Sequence, residues 1–217
     1  VGVATCGTAA SMAPWGGKAR ILGNNPIAIA LPSGGERPIV FDAATSLVAG
    51  NKIGLAKDRG EKIPLGWAFD SEGRPTTDPA LVRGPSGWLG SLAPMGAHKG
   101  SGLSVVSDVL SCALSGARFS VHVRSLLDLS EPWGTGGLFA ALDVGAFVPI
   151  EQYKKRVDEW IRMIKSSPKA EGVQEIFLPG EIEFREEEKR RAEGIPITEK
   201  TWQDILTLAK NLEIGVT

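Results

Sequence analysis

The sequence predicts a mixed α/β (α+β) fold, because strand-like and helix-like patterns are interspersed along the chain and not grouped into separate halves. The chain has 217 residues, of which 42% are hydrophobic and 23% are charged. This composition is typical of a globular protein with a sizeable core. The formal net charge is −1, and proteins that bind nucleic acid in bulk usually carry a basic excess. No apolar run reaches the roughly 18 residues that cross a bilayer, so we expect neither a nucleic-acid partner nor a membrane span.

Three short apolar runs predict the strands of this fold. Residues 27–31 read Ile-Ala-Ile-Ala-Leu and stop at Pro-Ser-Gly-Gly, which is typical of a strand followed by a turn. A second run, 38–41, ends on Asp42. The run 138–142 is apolar throughout and is expected to be a buried strand. Two stretches rich in turn residues are expected to be loops: 65–79 and 84–96.

The clearest helix pattern lies in the middle of the chain. Apolar residues recur every three or four positions from Leu103 to Leu114, which predicts a helix with one apolar face against the core. Either Ser101 or Ser104 is expected to cap its start, and Gly116 is expected to end it.

Three further helices are predicted towards the C-terminus. Residues 153–164 and 202–212 have amphipathic spacing, and Thr198 is expected to cap the latter helix. Residues 185–193 are dense in charge and predict a solvated helix. We therefore expect a body of residues 1–150 and a helical portion of residues 151–217, either packed on that body or continuous with it.

The cysteines and histidines predict neither a disulfide framework nor a metal centre. Cys6 and Cys112 are the two cysteines and are far apart in sequence, so buried structural thiols are expected. The histidines, His98 and His122, have no metal-ligand spacing. The first residues show no basic and apolar regions of a secretory signal, and we expect a cytoplasmic protein.

The most informative stretch for chemistry is Gly-Ala-His-Lys-Gly-Ser-Gly-Leu at 96–103, which leads into the central helix. Free amides at a helix start favour an anion. Lys99 adds a charge there, while Gly100 and Gly102 would let the backbone approach a phosphate. The stretch matches neither the Walker A nor the Rossmann spacing. It predicts a phosphate site for a nucleotide or dinucleotide, or else a glycine-rich helix start with an exposed lysine.

Two other segments carry candidate polar contacts. Asp42 ends an apolar run, where a carboxylate can accept hydrogen bonds from ribose hydroxyls; it can equally cap the segment that follows. Asn24 and Asn25 follow Gly23 and could bind a carboxylate or carbonyl of a small substrate. Ordinary turn chemistry is the alternative for this Gly-Asn-Asn-Pro segment.

Five segments occur in an order that resembles the type 2 malate/L-lactate dehydrogenase family, which includes ureidoglycolate, sulfolactate and diketogulonate enzymes. The resemblance covers nearly the whole chain. The matching segments read MAPWGG at 12–17, LGNNP at 22–26, FDAATS at 41–46, PMGAHKGSGL at 94–103 and LPGE at 178–181.

The resemblance implies an oxidoreductase that uses NAD or NADP and transfers a hydride to or from a small 2-hydroxy or 2-oxo acid such as malate or lactate. It also implies a dinucleotide-binding fold that is not a Rossmann domain, and a homodimer with its active site near the subunit interface. The cofactor positions it implies are Thr8, Ile39, Phe41, Asp42, Ala43, Ala44, His98, Lys99, Gly180, Glu181 and Ile182. Asn24 and Asn25 would lie near the substrate.

The chain departs from the family pattern in several places. It reads Cys-Gly-Thr at 6–8 where the family usually has Thr-Asn-Ser, and Gly-Asn-Asn-Pro at 23–26 where the family usually has Gly-Thr-Asn-Pro. Residues 117–136 match poorly. Family members carry a further N-terminal Ser-His-Gly motif with the catalytic histidine, so we expect the proton donor to lie outside this chain and assign no catalytic residue. The alternatives are a non-enzymatic truncated relative that folds around a partner, or a nucleotide-binding regulatory module.

Overall fold

The computed structural model describes residues 1–85, 87–124 and 130–215. The chain divides into two compact units, Val1–Pro179 and Gly180–Thr217. The helix after residue 150 belongs to the first unit, so the compact units divide later in the chain than the predicted boundary. Helices and antiparallel sheets are interspersed, which confirms the predicted mixed α/β class.

The strands are β1 Gly2–Cys6, β2 Ile27–Leu31, β3 Ile39–Ala43, β4 Ala68–Phe69, β5 Pro75–Thr76, β6 Arg83–Gly84, β7 Gly87–Trp88, β8 Ser91–Leu92 and β9 Gly137–Ala141. The α-helices are α1 Gly50–Asp58, α2 His98–Asp108, α3 Ile150–Lys165, α4 Glu181–Glu193 and α5 Glu199–Asn211. A π-helical turn, Val109–Ala113, follows α2, and 3-10 turns lie at Pro79–Leu81, Ser120–His122 and Val144–Ala146.

The main sheet has four antiparallel strands in the order β3-β2-β1-β9. The predicted strand 27–31 is confirmed, whereas β3 runs on through Asp42 to Ala43. One face of the sheet packs on the helical turn after α2, where the Thr5 and Ser111 hydroxyls lie 2.7 Å apart.

The last strand of this sheet corrects one prediction. The apolar run 138–142 was expected to be buried, but β9 is largely exposed, and Phe139 is 86% exposed. The reason is that β9 is an edge strand that pairs only with β1 among the described strands.

The buried core lies beside the main sheet, around α1. Met12 pairs with both Leu22 and Leu92, which ties the first motif to the short strands. Those strands, β4 to β8, lie where loops were predicted, because segments of two residues leave little periodicity to read. The core cluster contains Met12, Leu22, Val48, Ile53, Ala56, Ile63, Ala68, Val82 and Leu92, with Trp67 and Trp88 packed against it.

The central helix differs from its prediction in both start and orientation. α2 begins at His98 after Ala97, whose φ of 60° and ψ of −121° are unusual for a residue with a Cβ. Neither Ser101 nor Ser104 caps it, because both lie inside the helix and bond to other segments. Its buried face consists of glycine, serine and aspartate, whereas the apolar residues predicted to face the core are exposed.

The third helix is confirmed and is fixed to the main sheet by one carboxylate. Asp158 is only 7% exposed and accepts the backbone N–H groups of Gly34 at 2.9 Å, Gly35 at 2.8 Å and Glu36 at 3.3 Å. These amides form the turn between β2 and β3. They lower the pKa of Asp158, the Gly35 and Gly34 bonds most strongly, because they stabilise the charged form.

The second unit consists of α4 and α5, neither of which has a fully buried residue. The charge-dense helix is confirmed and begins at Glu181, earlier than the predicted residue 185. Glu186–Arg190 and Glu187–Arg191 are ion pairs one turn apart on a solvated surface. The predicted cap is also confirmed, since the Thr198 side chain accepts the N–H of Thr201.

Candidate functional site

Four of the five family-like segments converge on the first turns of α2. The Trp15 N–H donates to the Ser101 hydroxyl at 3.0 Å. The Thr45 N–H donates to Asn24 O at 3.0 Å, and Thr45 O accepts the Met95 N–H at 2.8 Å. We call this region, comprising Thr8, Asn24, Asn25, Thr45 and residues 95–104, the α2 junction. Its arrangement places predicted cofactor and substrate segments together, although the segments are far apart in sequence.

Asn25 is the centre of the hydrogen-bond network in the α2 junction. Its side chain is fully buried. The Oδ1 atom accepts the Thr8 N–H at 2.8 Å and the hydroxyls of Thr8 and Ser120 at 3.2 and 3.3 Å. The Nδ2 group donates to the Ser104 carbonyl and hydroxyl oxygens, both at 3.1 Å. The carboxamide is thus committed to holding three segments together, whereas the half-buried Asn24 accepts one bond, from the Thr8 hydroxyl at 2.9 Å.

Gly100 has a packing reason to be glycine. A Cβ at this position would overlap the carbonyl oxygens of Met95 and Thr45. Gly102, two residues further along α2, faces open space. The sequence suggested that Gly100 lets a phosphate approach, but this glycine instead allows close contact between backbones. Of the two glycines, only Gly102 leaves room for a ligand.

The start of α2 can attract an anion through the charge of Lys99 more than through free backbone amides. The N–H groups of Lys99, Gly100 and Ser101 donate to Gly96 O, Met95 O and Ala97 O. The side chains of His98 and Lys99 are exposed and contact no hydrogen-bond or ion-pair partner within the described residues. An anion arriving here would meet the Lys99 ammonium and the positive end of the helix.

The predicted residues of β3 lie at the edge of the main sheet. Ile39 and Ala43 are half-buried, Phe41 and Asp42 are exposed, and Ala44 follows the strand before the α2 junction. Asp42 pairs in register with Ala28. The alternative was that it caps residues 43–46, but no helix begins there, because β3 ends at Ala43 and α1 begins at Gly50.

The fifth segment spans the boundary between the two units. Within the first unit, Pro179 O accepts the N–H of Val40 at 3.0 Å. Gly180, Glu181 and Ile182 begin the second unit, where Gly180 has a φ of 94° immediately before α4. The roles predicted for these three residues stay predictions.

The cysteines are unpaired, as expected. Cys112 is fully buried and Cys6 is half-buried. Burial raises the pKa of the Cys112 thiol, since the thiolate would be poorly solvated. Within the described residues, no cluster of His, Cys, Asp and Glu is suited to a metal ion. Among those same residues, no helix is both long and apolar enough to cross a membrane.

Sequence reasoning missed the serines that fill the inner face of α2 and of the π-helical turn after it. Ser101, Ser104, Ser107 and Ser111 are all less than 10% exposed. They recur at the same three- and four-residue spacing as the apolar residues on the opposite face. The signal was present, but hydrophobicity alone assigned the inward face to the wrong side.

A family model described as malate/L-lactate dehydrogenase matches residues 1–206. The chain belongs to this family. It is 38% identical over 216 residues to an L-sulfolactate dehydrogenase of Methanothermobacter thermautotrophicus, covering 100% of this chain and 60% of that relative. It is 31% identical over 208 residues to the ureidoglycolate dehydrogenase (NAD+) of Escherichia coli, covering 95% of this chain and 58% of that relative.

Solved structures of family members share the fold. The sulfolactate dehydrogenase from Methanocaldococcus jannaschii superposes with a TM-score of 0.86 at 38% identity, covering 99% of this chain and 60% of that one. The malate dehydrogenase from Entamoeba histolytica gives a TM-score of 0.89 at 29% identity, covering 99% of this chain and 62% of that one. The resemblance and the fold class predicted from sequence are confirmed. The chain spans about 60% of the length of the curated relatives it matches.

Proposed function

We propose that the chain forms the cofactor-binding part of an NAD- or NADP-dependent dehydrogenase that acts on a small 2-hydroxy or 2-oxo acid. The observation that carries this proposal is the convergence of family-like segments on the α2 junction, next to an exposed lysine without a partner in the described structure. Relatives named for sulfolactate, malate and ureidoglycolate support the class of acid, and relatives named for NAD+ and NADP+ support the cofactor.

The residues present fit a dinucleotide. Backbone amides contribute less to this fit than the sequence suggested, because those of Lys99, Gly100 and Ser101 already donate within the protein. Lys99 supplies a positive charge that no carboxylate of the described residues pairs with, and Gly102 leaves open space on the same helical turn. Asp42 supplies an exposed carboxylate for ribose hydroxyls. We assign cofactor contacts to Lys99 and His98, to Thr8, and to Ile39, Phe41, Asp42, Ala43 and Ala44. When bound, the nicotinamide supplies the hydride donor or acceptor.

In this proposal the two asparagines have different roles: Asn25 positions the chain, and Asn24 contacts the substrate. Asn25 holds the 23–26 turn through its buried hydrogen bonds. Asn24 is less buried and makes a single side-chain bond, so its carboxamide has donors to spare for a substrate carboxylate or carbonyl. His98 is proposed as a cofactor contact and takes no proton-transfer role.

We further propose that the protein works as a cytoplasmic homodimer. The support is the exposed apolar face of α2 and of the π-helical turn after it, on which Val106 and Val109 are 52% and 50% exposed. Exposed apolar patches of this kind mark interaction surfaces. The two free cysteines are typical of a reducing compartment. Light scattering after size exclusion would return twice the chain mass for a dimer, and the chain mass alone would contradict it.

The cofactor assignment is tested by Lys99→Ala in the full chain. Removing the ammonium is expected to weaken NADH and NADPH binding about tenfold or more, as for a lost charge-assisted contact. Calorimetric titration measures this. Lys62→Ala, also at an exposed lysine, is the matched control and should bind like the wild type. Unchanged affinity in Lys99→Ala would refute the assignment, and tight binding of ADP without nicotinamide preference would favour a nucleotide-binding module instead.

A further inference from the structure

Two arginines outside the α2 junction lie at or next to the β6–β7 hairpin. The Arg20 Nη1 atom donates to Gly90 O at 3.0 Å. The Gly90 N–H in turn donates to Val82 O at 3.2 Å, and Val82 precedes Arg83 on β6. Gly90 therefore connects the Arg20 guanidinium, through two hydrogen bonds, to the residue that precedes Arg83.

Neither arginine forms an ion pair within the described residues. Two acidic groups of the adjacent 70–74 turn are already engaged. Asp70, whose Cα lies close to Gly90, accepts the Arg74 side chain at 2.9 Å together with the Glu72 and Arg74 amides. The Glu72 carboxylate pairs with Lys18 at 3.0 Å. In the described part of the chain, the two guanidinium groups are therefore left without an acidic partner.

Both arginines are half-buried, which makes the uncompensated charge costly. Burial lowers the pKa of each arginine, and the charge of Arg83 lowers the pKa of Arg20 further.

Unused hydrogen-bond donors remain on both side chains. The Arg20 Nε–H is buried and has no partner among the residues that the structure describes. The Arg83 guanidinium lies 4.1 Å from the centre of the Trp88 ring. A guanidinium stacked on an aromatic ring keeps its N–H groups in its own plane, where they can form a fork for an oxyanion.

We propose that Arg20 and Arg83 form a binding site for a small oxyanion, a carboxylate or a phosphate-like group. Two guanidinium groups with spare donors match the geometry of such anions, which bind arginine in a bidentate manner. An anion there would neutralise the like-charge pair and satisfy the orphaned donor of Arg20. The site does not depend on the proposed cofactor contacts of Lys99.

The test is calorimetric titration of the full chain with inorganic phosphate and, separately, with succinate, at constant ionic strength kept with chloride. The two arms distinguish a phosphate-like ligand from a carboxylate. Saturable binding is expected for at least one probe. Arg83→Gln should weaken it about ten- to a hundredfold, the range for losing a charged hydrogen bond. Arg83→Lys, which keeps the charge but not the fork, should weaken it less.

Arg74→Gln is the matched control, because Arg74 is a neighbouring arginine already paired with Asp70. It should bind the probe like the wild type, and far-ultraviolet circular dichroism should show that all variants are folded. Equal binding by Arg83→Gln and wild type, an equal loss in Arg74→Gln, or no saturable binding of either probe by the wild type would each overturn the proposal. Titrating Arg83→Gln with NADH as well tests cofactor binding by itself, so that a failure of the anion-site proposal can be distinguished from a failure of the cofactor assignment.

Discussion

Asn25→Ala should destabilise the protein strongly, because the carboxamide joins three segments of the α2 junction. Its removal deprives two donors of their acceptor, the Thr8 N–H and the Ser120 hydroxyl. At about 1–3 kcal/mol for each buried unsatisfied group, the free energy of unfolding should fall by about 2–6 kcal/mol. The Thr8 hydroxyl adds little to this sum because it keeps its bond to Asn24.

The measurement is urea-induced unfolding of the full chain, followed by tryptophan fluorescence at neutral pH. Asn24→Ala is the control, since it removes one acceptor whose donor still reaches Asn25. Its cost should stay below about 1 kcal/mol. A loss below about 1 kcal/mol for Asn25→Ala, or equal losses for the two variants, would show that the network does not hold the junction together.

Three further perturbations test other contacts of the fold. Gly100→Ala should cost about 1–3 kcal/mol of unfolding free energy through overlap with backbone oxygens, whereas Gly102→Ala should stabilise the helix by about 0.5–1 kcal/mol; chemical denaturation compares them, and equal effects would contradict the packing argument. Folding lowers the pKa of Asp158, so the stability that its carboxylate contributes is fully present above the ordinary pKa and is lost as the pH falls below it. The difference in unfolding free energy between wild type and Asp158→Asn should therefore narrow from about pH 5 downward. A difference independent of pH would refute this. With a thiol reagent at pH 8, peptide mass spectrometry should find Cys6 labelled before the buried Cys112, and simultaneous labelling of the native protein would count against the buried thiol.

The sequence predicted elements well where the periodicity was long and failed where packing depends on the rest of the fold. The helices at 153–164 and 202–212 were found because their amphipathic patterns persist over several turns. The inner face of α2 was assigned wrongly, since serine is not counted as a core residue even where hydrogen bonds satisfy it. β4 to β8 were missed because strands of two residues are defined by partners distant in sequence.

The roles of the candidate site residues stay predictions, whereas the structure shows which of their segments meet. The resemblance gathered the segments that the structure brings to the α2 junction, but it gave no account of why they meet. The sequence predicts Asn25 as a turn or substrate residue, whereas its burial and five hydrogen bonds show that it is a structural centre. Likewise, the glycine at position 100 suggested a ligand, while the atoms that exclude a side chain belong to Met95 and Thr45.

The backbone at Ala97 limits how the surface beside Lys99 can respond to a ligand. An alanine with a φ of 60° and a ψ of −121° occupies a conformation that favours glycine, at a cost of about 1–3 kcal/mol. The neighbouring bonds hold it there, with its N–H on Pro94 O and its carbonyl accepting from Ser101. An incoming molecule would therefore meet a preorganised surface whose shape was fixed during folding, and binding would require little further ordering of the main chain.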